Sequence, residues 1–289
     1  MRLKKGLMIS AIALASALTL SGCTDSAETP EAAPVEETVE FEAGTTMAKL
    51  NEAGTITIGT KFDQPLFGLK GPDDKPVGFD VEMGKLIAAK LGIPADKIKW
   101  TETVSANREP FLQNGQVDLV VATYTINDTR KEVVDFAGPY YLAGQDLLVL
   151  AGNPDKITGP EDLAGKPVCT VSGSTSEKNI AAYTDNVIAT DTYSNCLGPL
   201  RSGKVVAVTT DNVILAGLAD QNAGEFEVVD NPFTEEPYGI GLKKDDAEFR
   251  TFINDVLEES FEDGTWAKAW EATAGTVLET PTPPTVNRY

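Results

Sequence analysis

The chain has 289 residues, of which 44 are acidic and 24 basic and none is histidine, for a formal net charge of −20. Binding to a nucleic-acid backbone or to anionic lipid needs cationic patches, so both are excluded as functions, and any anionic ligand must be met by a small local cluster of cations. With three cysteines and no imidazole, a metal centre is equally unsupported.

Residues 1–22 place Arg2, Lys4 and Lys5 ahead of an apolar stretch from Gly6 to Leu20, the pattern of a secretory signal. The stretch is too short for a transmembrane anchor. Its end, Leu20-Ser21-Gly22-Cys23, resembles the bacterial lipobox, in which the cysteine becomes the lipidated first residue of the mature chain. Cleavage there removes three basic residues and no acidic one, taking the charge from −20 to −23. Residues 23–45 are rich in Pro, Glu, Thr and Ala, have no apolar period, and read as a disordered, self-repelling tether. Residues 276–289, ending "ETPTPPTVNRY", read as a flexible tail. Roughly 235 residues remain for folding, enough for one large domain or two lobes.

In the folded part, "TITIGTKF" alternates as a strand and "GFDVEMGKLIAAKLG" puts Phe79, Met83, Leu86, Ile87 and Leu91 on one helical face before Gly92. The strand "KIKW" completes a βαβ start. "SANREPFLQNG" reads as a short helix from Ser105 to Gly115, leading into the strand "VDLVVAT" and a helix from about Asn127. The same grammar returns after "QDLLVLAG": strand "KPVCTV", helix "SGSTSEKNIAAY" with Ser174 and Glu177 as a capping box, strand "NVIAT", helix "SNCLGPLRSG", strand "KVVAVTT" and helix "DNVILAGLADQ". "LQNGQVDLVVATYT" and "LRSGKVVAVTTDN" are each helix, glycine stop, apolar strand and threonines. The pattern predicts two related α/β lobes with mostly parallel sheets. Strands "EFEVVD" and "EPYGIGLKK" and two amphipathic helices follow, with Trp266 and Trp270 as core stripe. "AGQDLLV" and "TEEPYGI" are the hinge candidates, giving lobe 1 as 46–143 plus 237–275 and lobe 2 as 144–236. Once Cys23 is assigned to lipid, Cys169 and Cys196 form an even pair, which in an oxidising compartment closes as a disulfide contributing on the order of 3 to 4 kcal/mol.

Ligands of parallel α/β sheets sit beyond the strand carboxyl ends, against helix N-termini. Three polar loops occupy that place, "ATYTINDTR", "VSGSTSE" and "TTDN", and together they offer hydroxyls, N–H donors, the Arg130 guanidinium and the Asp211 carboxylate. A zwitterion would satisfy them. Arg130 suits a bidentate pair with a carboxylate, aided by Thr123 and Thr125, and Asp211 suits an ammonium. Taken alone, Arg130 reads equally as half of a surface helix pair and Asp211 as a plain N-cap. "NDT" reads as the helix cap at Asn127, Tyr124 as pointing into the lobe, and Phe62 and Phe67 either as lining for an aliphatic stem or as core.

From about Thr55 to Gly275 the chain resembles the periplasmic-type amino-acid-binding proteins of ABC importers, solute-binding protein family 3, in particular the glutamate/aspartate and glutamine binders. "GFDVEMGKLIAAKLG", "ANREPFLQNGQVDLVVATYTINDTRKEVVDFAGPYY" and "DLAGKPVCTVSGSTSEKNI" carry the resemblance. It implies a two-lobed type II binding-protein fold of the α/β class, with the ligand cleft between lobes joined by a two-segment hinge. It implies that Arg130 and Thr125 hold the α-carboxylate, that Thr123 helps with the α-amino group and that Asp211 pairs with the ammonium. Lys61 and Arg108, with Ser105 beside them, would meet a distal carboxylate, and Ser174 and Thr175 would close from lobe 2. Two departures bear on specificity. Val171 is apolar where some relatives carry a polar or basic residue, and Lys61 is a point charge, free to snorkel, where some acidic-amino-acid binders have arginine.

The implied function is a monomeric lipoprotein, anchored through Cys23 to the outer face of the cell membrane, that captures an acidic amino acid, L-glutamate first, by lobe closure and presents it to permease subunits. It needs no cofactor. Glutamine, aspartate or a broader polar set is the alternative ligand range. A dehydratase-like enzyme on the same scaffold is the remote one, with Asp63 and Glu109 as its acid or base candidates. A sensor ectodomain would need a membrane span and an output domain, which the chain does not show.

Overall fold

The computed structural model describes residues 34–36 and 39–289. The signal stretch, the lipobox with Cys23 and most of the tether lie outside the described residues. In chain order the first lobe contributes α1 (Thr46–Ala53), β1 (Ile56–Thr60), β2 (Asp63–Gln64), β3 (Gly68–Lys70), β4 (Pro76–Val77), α2 (Phe79–Lys90), β5 (Ile98–Glu102), α3 (Arg108–Gln113), β6 (Leu119–Val120), α4 (Asp128–Lys131) and β7 (Val134–Ala143). The second lobe holds β8 (Gln145–Leu150), β9 (Val168–Val171), α5 (Thr175–Ile180), β10 (Val187–Thr190), α6 (Ser194–Arg201), β11 (Ala207–Asp211), α7 (Asn212–Gln221) and β12 (Phe226–Val228). The chain then returns to the first lobe with β13 (Glu236–Lys243), α8 (Ala247–Asp263) and α9 (Thr265–Glu271).

Each lobe is built on a five-stranded sheet, ordered β5-β1-β6-β13-β7 in lobe 1 and β10-β9-β11-β8-β12 in lobe 2. Three neighbouring strands are parallel in each, and the fourth runs against both of its neighbours. Within each parallel trio the first strand in sequence lies between the second and the third. The matched stretches noted in the sequence are the third strands of the two trios, β6 and β11, each preceded by a helix that stops at a left-handed glycine, Gly115 (φ 64°) or Gly203 (φ 69°). A small antiparallel sheet of β2, β3 and β4, which alternation in the sequence did not reveal, hangs from the end of β1.

The chain crosses between sheets at Gly144 and again over 229–235. The two crossings lie side by side, tied by the Gln145 N–H donating to Thr234 Oγ1 (2.9 Å) and by the Ala143↔Glu236 register of β7 and β13. Lobe 1 is filled by aromatic groups: Phe67, Phe79, Trp266 and Trp270 are fully buried, with the two indoles stacked 5.9 Å apart. Phe67 is therefore core and not ligand lining. In lobe 2 the Cys169–Cys196 disulfide joins β9 to α6 at the buried side of the sheet, with Cα atoms 5.6 Å apart.

Both ends of the described chain are more ordered than their composition implies. Phe41, inside the expected tether, packs edge-on against Phe252 of α8, and Glu36 pairs with Lys90. The last residues, expected as a flexible tail, lie along the open edge of β7. There the Phe136 N–H donates to the Tyr289 hydroxyl, the Asn287 N–H donates to Gly138 O, and Arg288 pairs with Asp255 and Glu258. Isolated aromatic and charged anchors hold these segments, and such anchors leave no periodic signal.

Candidate ligand-binding site

Because both trios share one strand order, the carboxyl ends of β1, β5, β6, β9 and β11 face a common cleft, the switch-point position at which α/β sheets take ligands. The lobes meet over a small polar cavity that leaves about 10 Å³ of water-accessible space. Lobe 1 lines it with Ser105, Arg108, Thr123 and Thr125, and lobe 2 with Ser174, Thr175 and Asp211. Lys61 and Arg130 are buried just outside the wall. Lys61 Nζ donates to Ser105 Oγ (2.9 Å) and Arg130 Nη1 donates to Thr125 O (2.7 Å), so each stands one hydrogen bond behind a lining residue.

Lys61 does not snorkel: it is 3 % exposed, and burial, reinforced by the Arg108 charge, pushes its ammonium down to about 7. Arg108 is also 3 % exposed, and its donors go to carbonyls, Nε to Ser105 O (3.3 Å) and Nη1 to Ala122 O and Thr123 O (3.2 Å each). Burial and the neighbouring Arg130 pull its guanidinium down to about 10. Among the described residues, neither Lys61 nor Arg108 has a carboxylate within salt-bridge distance. Arg130 does: its Nε donates to Glu109 Oε1 at 3.0 Å. Both arginines lie over the ring of buried Tyr124, at 4.4 and 4.9 Å, so this tyrosine between the two threonines is the platform that spaces them.

The turn carrying the threonines is held under strain. Thr123, a β-branched residue, has φ 44°. Three contacts hold it there: its N–H donates to Asp80 Oδ2 (2.8 Å), its hydroxyl to Gln64 Oε1 (2.9 Å), and its carbonyl accepts from Arg108. Asp80 is fully buried, takes a second bond from the Tyr140 hydroxyl (2.6 Å), and is lifted by burial to about 7. After Thr125 the chain enters α4, where Asn127 Oδ1 accepts from the Arg130 N–H as the cap.

On lobe 2, Asp211 stands at the N-cap position of α7 but makes no side-chain cap bond. One oxygen accepts from the Tyr238 hydroxyl (2.6 Å), while Oδ1 is buried without a partner. Burial first and Glu236 second raise its carboxyl to about 7. The two hydroxyls expected to reach a ligand are committed elsewhere. Ser174 Oγ caps α5, accepting from the Glu177 N–H (3.0 Å) and donating to Val171 O (2.7 Å), and Thr175 Oγ1 donates to Glu236 Oε2 (2.8 Å) at the second crossing.

Sequence reasoning missed Gln64, Asp80, Ser176, Tyr193, Ile214 and Tyr238. Asp80 carried the one available signal, an acid in the first turn of a helix, and that reads as a complement to the helix dipole. The two acid or base candidates of the enzyme alternative are both engaged: Asp63 Oδ2 accepts from the Tyr193 N–H across the cleft (3.0 Å), and Glu109 pairs with Arg130.

Residues 56–272 match the family model described as bacterial extracellular solute-binding proteins, family 3. The chain is 40 % identical over 268 residues to the glutamate-binding protein GluB of Corynebacterium efficiens, covering 89 % of this chain and 86 % of that one. It is 36 % identical over 273 residues to the ABC transporter glutamine-binding protein GlnH of Bacillus subtilis, covering 93 % and 97 %. Among solved structures it is similar to an ancestral arginine-binding protein bound to glutamine (TM-score 0.69, 39 % identity, 75 % of this chain and 96 % of that one). It is also similar to an ancestral amino-acid-binding protein described as a precursor of cyclohexadienyl dehydratase (TM-score 0.71, 33 % identity, 78 % and 98 %).

Proposed function

The chain belongs to family 3 of the bacterial extracellular solute-binding proteins, and from that premise we propose that it captures L-glutamate for an ABC importer, without turnover, while held at the cell membrane by lipid on Cys23. The observation that carries the ligand assignment is an imbalance of buried charge. Lobe 1 buries Lys61 and Arg108 with no carboxylate partner, and lobe 2 faces them with a carboxylate oxygen, Asp211 Oδ1, that has no donor. Buried charges of this kind are costly unless paired. A molecule with an ammonium and two carboxylates pairs all of them: the ammonium on Asp211, the α-carboxylate on Arg130 with the Thr125 turn, and the distal carboxylate toward Lys61 and Arg108. The name of the corynebacterial relative supports the same ligand. Supporting the anchor is the Leu20-Ser21-Gly22-Cys23 sequence. No helix among the described residues is long and apolar enough to cross a membrane.

Glutamine is the second reading, favoured by Asp80, whose carboxylate behind Thr123 offsets part of the Lys61 and Arg108 charge. Calorimetry of the mature chain against glutamate, glutamine and aspartate decides between them. The expected result is 1:1 binding with glutamate tightest. Tighter glutamine moves the assignment to the second reading, and no heat with any of the three refutes both.

A further inference from the structure

Beside the cavity Gly217, Gly173 and Tyr193 of lobe 2 each meet lobe 1 in a seam; of these residues only Tyr193 belongs to the cavity wall, and the Gly173 carbonyl also accepts from Arg130 Nη2 (3.5 Å). Gly217 lies in the interior of α7, where glycine is disfavoured relative to alanine. A Cβ at that position would stand 2.6 Å from Pro65 O and 3.1 Å from Pro65 C, in the β2–β3 turn of lobe 1. At Gly173 (φ 75°) a Cβ would stand 2.9 Å from Ala106 Cα, in the turn ahead of α3. Between the two glycines the Tyr193 N–H donates to Asp63 Oδ2.

We propose that Gly217 and Gly173, together with the Asp63–Tyr193 hydrogen bond, determine ligand affinity from outside the cavity by setting how completely the lobes close. In this seam backbone meets backbone. The groups a β-carbon would strike are main-chain atoms of the other lobe, which cannot swing aside as the end of a long side chain can, so any side chain here has to part the lobes. A ligand gains its second set of contacts only in the closed state. Whatever lowers the closed population therefore lowers apparent affinity by the same factor, with every ligand-contacting residue unchanged. This also explains the glycine in α7, which helix stability alone would replace with alanine.

The inference rests on the reading of the cavity as an amino-acid site, and the test separates the two. Gly217→Ala in the mature chain is expected to keep or raise the melting temperature of the ligand-free protein, as helix propensity dictates, while weakening glutamate binding by at least about tenfold. Amide exchange of Tyr193, whose N–H is bonded across the seam, is expected to slow on glutamate addition in the wild type and to stay fast in the variant. Binding within threefold of wild type, with Tyr193 protected, overturns the proposal. If the wild type binds no amino acid, the functional reading fails on its own, and the seam is judged on ligand-free Tyr193 exchange: faster in Gly217→Ala supports it, equal rates overturn it. Should Gly217→Ala not fold, Asp63→Ala takes its place, with a roughly tenfold loss expected from deleting its hydrogen bond to the Tyr193 N–H across the seam and wild-type affinity overturning the proposal.

Discussion

In lobe 1 the turn after the third parallel strand carries Thr123, Thr125 and Arg130, with Lys61 and Arg108 closing in from the ends of the first and second strands. In lobe 2 the third strand itself ends in Thr209, Thr210 and Asp211, the first strand ends in apolar Val171, and no cation of this lobe lines the cavity. The same strand order and the same glycine-stopped helix thus deliver opposite charge to the two sides of one cleft. Lobe 1 commits its carbonyls to aiming cations, whereas in lobe 2 the hydroxyls of Ser174 and Thr175 go to a helix cap and to Glu236, and Asp211 Oδ1 stays buried without a donor. A ligand held by lobe 1 alone would have its anionic ends satisfied and its ammonium unpaired. Closure is therefore worth most to a molecule that carries both signs.

The largest expected effect falls on the cationic side. Arg130→Ala removes the guanidinium assigned to the α-carboxylate and strands Glu109, its present partner. Losing one member of a buried charge-assisted pair costs on the order of 3 to 5 kcal/mol, so binding should fall by more than about a hundredfold for every amino acid in the panel. A loss smaller than tenfold by calorimetry would place the α-carboxylate elsewhere and break the division of labour between the lobes.

On the acidic side the test is the pH profile. Asp211 is lifted to about 7 in the protein, and pairing with an ammonium lowers it again. Below pH 7 binding therefore has to expel a proton, and affinity should fall by up to about tenfold per pH unit, while above pH 7 this group has no effect. Asp211→Asn should weaken binding by roughly ten- to a hundredfold at neutral pH and flatten the acid limb. An acid limb that survives in Asp211→Asn would assign the proton to Asp80, the other carboxyl raised to about 7.

Lys61 gives the opposite limb and separates the two ligand readings. Its ammonium is pushed down to about 7, and a distal carboxylate raises it, so glutamate binding has to take up a proton above pH 7 and should weaken there, whereas glutamine binding should not. Lys61→Ala should cost glutamate about tenfold and glutamine less than threefold. Arg108→Ala should cost glutamate more than glutamine but weaken both, because Arg108 also pins the carbonyls of Ala122 and Thr123 that shape the turn. An equal loss for the two ligands in both variants would take the distal carboxylate away from these cations.

The architecture was legible because it is periodic and repeated. Alternating strands, glycine-stopped helices and the paired "LQNGQVDLVVATYT" and "LRSGKVVAVTTDN" stretches predict two α/β lobes, and the two sheets share one strand order. Residues on strand ends were legible for the same reason, and Ser105, Arg108, Thr123, Thr125 and Asp211 all line the cavity. What sequence could not show is how donors and acceptors are distributed. Asp80 looks like a helix-dipole acid until Thr123 is found at φ 44° with its N–H aimed at it. Lys61 looks like a point charge free to reach solvent, and it is buried with its ammonium on Ser105 Oγ. The C-terminal tail looks mobile because two aromatic and basic anchors in a Pro-Thr background leave no period to detect.

The smallest effect tests the least expected part of the comparison, the commitment of the Ser174 hydroxyl within lobe 2. Ser174 faces the cavity, yet its hydroxyl accepts from the Glu177 N–H and donates to Val171 O. If that pattern holds with ligand bound, Ser174→Ala removes a helix cap and not a ligand contact. Its cost is then about 1 kcal/mol of stability, seen as a lower melting temperature with and without glutamate, and a change in affinity of less than about threefold. A hydroxyl that turned to the ligand would give the reverse, a stability near wild type and a binding loss approaching tenfold. Ser174→Asn keeps a capping oxygen but reshapes the wall, so it should restore the melting temperature and lower affinity through bulk alone.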